Sequence, residues 1–90
     1  MKQSVKNLMD LISKAKTANA TLGDCHDQIP AAFKEVRLDY GMSQMKVSKM
    51  AGISHPAVSM FEAGKGSISL DTLEQMLEAM VNGNGQEGQQ

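Results

Sequence analysis

Residues 43–64 read SQMKVSKMAGISHPAVSMFEAG, and this stretch decides the fold. Ser43 carries a short hydroxyl side chain able to accept a hydrogen bond from the free N–H groups of a helix's first turn. Val47 and Met50 then fall three apart, on one helical face. Gly52 supplies the residue type that adopts positive φ at a helix end. Ile53 is the apolar residue of the turn. Ser54 is a second N-cap, and Pro56 lies in the following first turn, where a missing N–H costs little. Val58 and Phe61 give the second helix an inward face, and Gly64 ends it. The pattern predicts two short helices joined by a tight turn.

The pattern continues on both sides. Pro30 is predicted to open a helix over residues 30–40, with Asp27 or Gln28 just outside it. Ala32, Phe33, Val36 and Tyr40 are its expected buried face, with Leu38 as a further candidate, and Gly41 is its stop. Downstream, Ser69 caps a helix over 69–80 whose stripe is Leu70, Leu73, Met76, Leu77 and Met80. Upstream, Val5, Leu8, Met9, Ile12 and Ala15 recur at spacings of three and four and predict an amphipathic helix over 2–18, with Lys2, Lys6, Lys14 and Lys16 off the stripe. That helix either packs on the domain or binds a second subunit or another partner. Residues 17–29 read as a turn-rich connector. The final NGNGQEGQQ has no apolar anchor and is expected to be disordered. The predicted organisation is thus 1–29, helix and connector; 30–81, a helix-turn-helix domain; 82–90, a Gly/Gln-rich tail.

Composition bounds the class. The 90 residues include eight Met, one Cys and no Trp, with few aromatics. Helix formers dominate, so an all-α fold is expected, a compact helical bundle with one extra N-terminal helix. Cys25 has no internal disulfide partner, and no signal peptide or membrane-spanning run is visible, which suits a cytoplasmic protein without membrane contacts. Net charge is −1, unevenly spread. Residues 31–66 hold five basic against three acidic side chains, while residues 67–90 hold four acids and no base. A weak positive field over the helix pair beside an acidic end implies modest non-specific attraction to phosphate and a need for dimerisation.

Several chemistries are excluded. Cys25, His26 and Asp27 lack the further ligands that a zinc site requires. The string Gly64-Lys65-Gly66-Ser67 lacks the preceding strand and the glycine spacing of a nucleotide loop. Paired carboxylates and a nucleophile with its base are also missing, so neither an enzyme nor a cofactor or metal is expected.

From about Ala32 to Met80 the chain resembles the helix-turn-helix domain of the Cro/phage-repressor type, also called the XRE family. The resemblance rests on Arg37, Gly41, Ser43-Gln44, Val47-Ser48, Gly52-Ile53-Ser54, Ser59, Phe61-Glu62, Gly64-Lys65 and the apolar helix from Leu70 to Met80, without a gap. Ser48 stands where Ala is usual, and Ile68 where Pro is frequent. In this architecture the first helix of the pair crosses the DNA backbone and the second enters the major groove. The resemblance implies a salt link between Arg37 and Glu62. It makes Gln44 a phosphate contact, with Ser43 and Ser54 at helix N-termini beside it, and Lys65 a phosphate clamp. Base contacts are expected from His55, Pro56, Ala57, Ser59 and Met60. No Arg, Asn or Gln stands on that face, so readout should lean on apolar contact, DNA shape and single hydrogen bonds from His55 and Ser59.

The function implied is a sequence-specific repressor of transcription. It would bind double-stranded DNA as a homodimer on a palindromic operator, in autoregulation within a phage, plasmid or mobile element. Two other readings stand beside it. One is an antitoxin of the same fold that binds a toxin through the N-terminal helix or the tail. The other is a protein-interaction module that has lost DNA binding.

Overall fold

A computed structural model describes residues 2–19 and 28–87, with side chains to residue 83. Among the described residues five helices follow in order: α1 Gln3–Thr17, α2 Gln28–Asp39, α3 Gln44–Ala51, α4 His55–Glu62 and α5 Leu70–Glu87. Among the described residues there is no strand. The fold is an all-α bundle of the helix-turn-helix kind.

All five helices close on one apolar core. Val5, Leu8 and Ile12 enter it from α1, Ile29, Phe33 and Val36 from α2, and Leu73, Met76 and Met80 from α5. Phe33 meets Phe61 of α4 edge to face, with ring centroids 5.8 Å apart and planes at 78°. That geometry sets the positive ring edge on the negative ring face and adds about 0.5–1.5 kcal/mol to the burial itself. Helix α1 is a wall of this same core, packed most extensively on α2 and also on α5. Its C-terminal Lys16 reaches Glu74 and Asp71 at the start of α5. The hydrogen bond that Lys16 donates to Glu74 raises the Lys16 pKa above its ordinary value, with desolvation opposing it and Asp71 adding to it. Asn19, in left-handed conformation at φ 65°, follows the end of α1.

The structure corrects four details. Met9 is 47% exposed, although it was expected in the α1 stripe. Val5, Leu8, Ile12 and Ala15 form a narrow buried seam, with Leu11 packed at its edge and Met9 further out on the flank. Leu38 is 58% exposed and Tyr40 half-buried. Leu38 lies about 200° around the helix from Val36, on the far side from the core. Helix α2 begins at Gln28, ahead of Pro30, and takes in the fully buried Ile29. Proline is tolerated throughout a helix's first turn, so it marks the start only to within a turn. The backbone of α5 stays helical to Glu87, beyond the expected boundary at residue 81. It passes along α3 with Gly83 against the flexible end of the Met50 side chain. Helical hydrogen bonds are local, so the ladder continues where the tail sequence offers no apolar anchor. Cys25, His26 and Asp27 lie outside the described residues, as do the last three residues of the tail.

Candidate nucleic-acid interface

Helix α3 starts where Ser43 Oγ accepts a hydrogen bond from the Lys46 N–H at 3.0 Å. It ends at Gly52, φ 72°, and the Ile53 N–H then bonds the Ser48 carbonyl at 3.0 Å. An L side chain rarely adopts that φ, so glycine sets the angle between the two helices. Ser48 is buried at the elbow, and its hydroxyl donates to the Met45 carbonyl at 2.7 Å. A small residue that satisfies its own hydroxyl thus does the work of the more usual alanine. Helix α4 starts where Ser54 Oγ accepts from the Ala57 N–H at 3.2 Å, with Pro56 in its first turn.

Burial divides α4 into two faces. Val58 and Phe61 are fully buried. Pro56, Ser59 and Met60 are exposed, Met60 by 50%, and His55 and Ala57 are half-buried. Ser54 and Ser43 are exposed at the two helix N-termini. Lys65 is exposed just past α4, and its N–H bonds back to the Met60 carbonyl at 2.8 Å. The outward side of α4 therefore has a hydrogen-bonding group at its start and an apolar thioether further along, with a lysine beyond its end.

Behind this face lies a polar cluster. Arg37 Nε donates to Glu62 Oε2 at 2.7 Å, and Nη2 donates to Glu62 Oε1 at 2.9 Å. The fork is bidentate, the strongest arrangement available to this pair. Arg37 Nη1 also donates to the Met42 carbonyl at 2.8 Å, which ties the loop before α3 to α2. Gln44 Nε2 donates to Glu62 Oε1 at 3.1 Å, and Gln44 Oε1 lies 3.3 Å from His55 Nε2. Helices α2, α3 and α4 are thus joined through one carboxylate. The family resemblance makes Gln44 a phosphate contact. Here its amide also spans the gap between Glu62 and His55. The sequence offers no periodic signal for contacts 11 and 18 residues apart.

Two further features bear on chemistry. Among the described residues no group of three or more His, Cys, Asp or Glu side chains is placed to hold a metal. No helix among them is long and apolar enough to cross a membrane. On another side of the molecule a groove of about 540 Å³ runs between α1 and α5, lined in part by Met9, Ile12, Leu77 and Val81.

Two capped short helices set by a left-handed glycine, the second with an exposed outer face, define a helix-turn-helix of the DNA-reading class. The helix-turn-helix family model HTH_3 matches residues 33–80, more than half of the chain. The chain belongs to this family, the XRE or Cro/repressor type, and is a DNA-binding regulator of transcription. No curated protein and no solved structure matches the chain.

Proposed function

We propose that the protein is a dimeric repressor that reads a palindromic operator through α4. One observation carries this reading: His55, Pro56, Ser59 and Met60 occupy the solvent side of a helix whose other side is locked into the core. His55 and Ser59 supply single hydrogen bonds to base edges, while Pro56, Ala57 and Met60 pack on thymine methyl groups. Ser43, Gln44 and Ser54 stand at helix N-termini, where free N–H groups and the helix dipole attract phosphate, and Lys65 closes on the backbone beyond α4. Repression follows from occupancy, since a dimer bound over a promoter excludes polymerase.

The groove between α1 and α5 is the proposed dimer surface. Met9 and Val81, 47% and 36% exposed, both line it. A protomer of 40 × 28 × 17 Å is of the right size to set two reading helices one DNA turn, about 34 Å, apart. The same groove supports a second reading, an antitoxin whose toxin partner docks there.

Selection of bound duplexes from a random pool, at moderate salt, tests the function. An enriched inverted repeat with half-sites about one helical turn apart is the expected result. A pool without enrichment, from folded protein, refutes specific DNA reading, and copurification with a second protein chain would then favour the antitoxin.

A further inference from the structure

The hydrogen-bonded cluster behind α4 has a polarity that can be followed atom by atom. Arg37 is donor-only, and both of its bonds to Glu62 end on a carboxylate that is acceptor-only when ionised. Whatever atom of Gln44 faces Glu62 Oε1 must therefore donate. Only the amide nitrogen does so, which sets the amide with Nε2 toward Glu62 and Oε1 away from it. Gln44 Oε1 in turn only accepts. Its contact with His55 Nε2 at 3.3 Å is attractive only if that ring nitrogen carries a proton. A neutral imidazole has one N–H, so Nδ1 is left with a bare lone pair. Among the described residues, Gln44 is the hydrogen-bond partner His55 has. At 3.3 Å the bond is long, so it adds little stability of its own.

We propose that the Arg37–Glu62–Gln44 chain holds His55 in its Nε2–H form and presents Nδ1 to the DNA as an acceptor, so that His55 selects a base bearing an amino group. In the major groove those groups are adenine N6 and cytosine N4, whereas guanine N7 and O6 and thymine O4 are acceptors. Gln44 is then a positioning residue for base choice as well as a neighbour of phosphate. The inference rests on the reading of α4 as the DNA-contacting helix.

Two measurements test it, one of them independent of DNA. Nitrogen-15 NMR of the imidazole, in a His26→Gln background that leaves His55 as the sole histidine, reports which ring nitrogen is protonated. The experiment is done at mildly alkaline pH, where a histidine ring is neutral. Protonated Nε2 is expected, with a mixture of tautomers once Gln44→Met removes the acceptor. A ring protonated on Nδ1, or one unchanged by Gln44→Met, overturns the relay.

The second measurement uses the selected operator at the same pH. Purine replaces adenine, or pyrimidin-2-one replaces cytosine, at each half-site position in turn, which deletes the amino group. At one position the deletion should weaken the wild-type protein about five- to tenfold and leave His55→Ala indifferent. Comparison of the two proteins cancels any effect of the analogue on the duplex itself. Loss through 7-deazapurines at the His55-dependent position, with no loss through amino deletion, shows that His55 donates and overturns the proposal. Failure of any sequence to enrich overturns DNA reading and the base preference with it, while the NMR result still decides the relay.

Discussion

Replacing Arg37 by methionine keeps much of the side chain's aliphatic bulk and removes every donor. Three hydrogen bonds go, two to Glu62 and one to the Met42 carbonyl. The side chains of Arg37 and Glu62 are only 9% and 3% exposed, so water does not replace the lost partners. A buried carboxylate left with only the neutral Gln44 amide as its donor is the costly product, and removing one member of a buried pair destabilises by about 3–5 kcal/mol. Domains of this size are stable by about 5–15 kcal/mol, so the loss is a large fraction of the whole. At about 4–8 °C per kcal/mol, Tm should fall by more than about 12 °C. The assay is urea and thermal unfolding followed by helical circular dichroism. The double variant Arg37→Met with Glu62→Met removes both charges and should recover about 1–3 kcal/mol relative to the sum of the single changes. If Arg37→Met leaves too little folded protein, Glu62→Gln gives the milder perturbation on the same scale. A cost below about 1 kcal/mol for Arg37→Met, or strict additivity in the double variant, would show that the fork does not hold α2 to α4.

Other expectations are more local. Among the described residues the buried Ser4 Oγ has no hydrogen-bond partner, so Ser4→Ala should stabilise the protein by about 1 kcal/mol in urea unfolding. Gly52→Ala meets no atom of the other described residues within 4 Å yet must hold φ 72°, so its cost, about 1–2 kcal/mol, should come from backbone strain. Lys65→Ala should weaken binding to all duplexes alike and reduce the slope of log affinity against log salt by about 1, while Gln44→Ala, which removes no charge, should weaken binding and leave the slope unchanged. Met9→Asp should shift the protein to monomer in sedimentation velocity and change unfolding free energy by less than about 0.5 kcal/mol, because Met9 is on the surface of the protomer.

Much of the interface is legible because its determinants are short-range. Ser43 and Ser54 each cap a helix through a backbone N–H three residues on, and Gly52 turns the chain through its own φ. Such features are written in consecutive residues and survive in any tertiary setting. The inward positions of α4 follow from periodicity in the same way. Exposure on a helix flank is harder to read, as Met9 and Leu38 show. Both are apolar residues whose burial depends on how wide a stripe the neighbouring helices cover.

The sequence by itself determined an all-α chain, the turn at Gly52, the caps on either side and the family resemblance, because backbone sterics and hydrogen bonds within one turn of helix act locally. Only the tertiary structure decided that α1 is a wall of the core, that α5 runs on past α3 beside Gly83, and that Gln44 bridges Glu62 and His55. Those outcomes depend on distances between residues far apart in the chain, and periodicity carries no information on which faces meet or which single atom of an amide points at which neighbour.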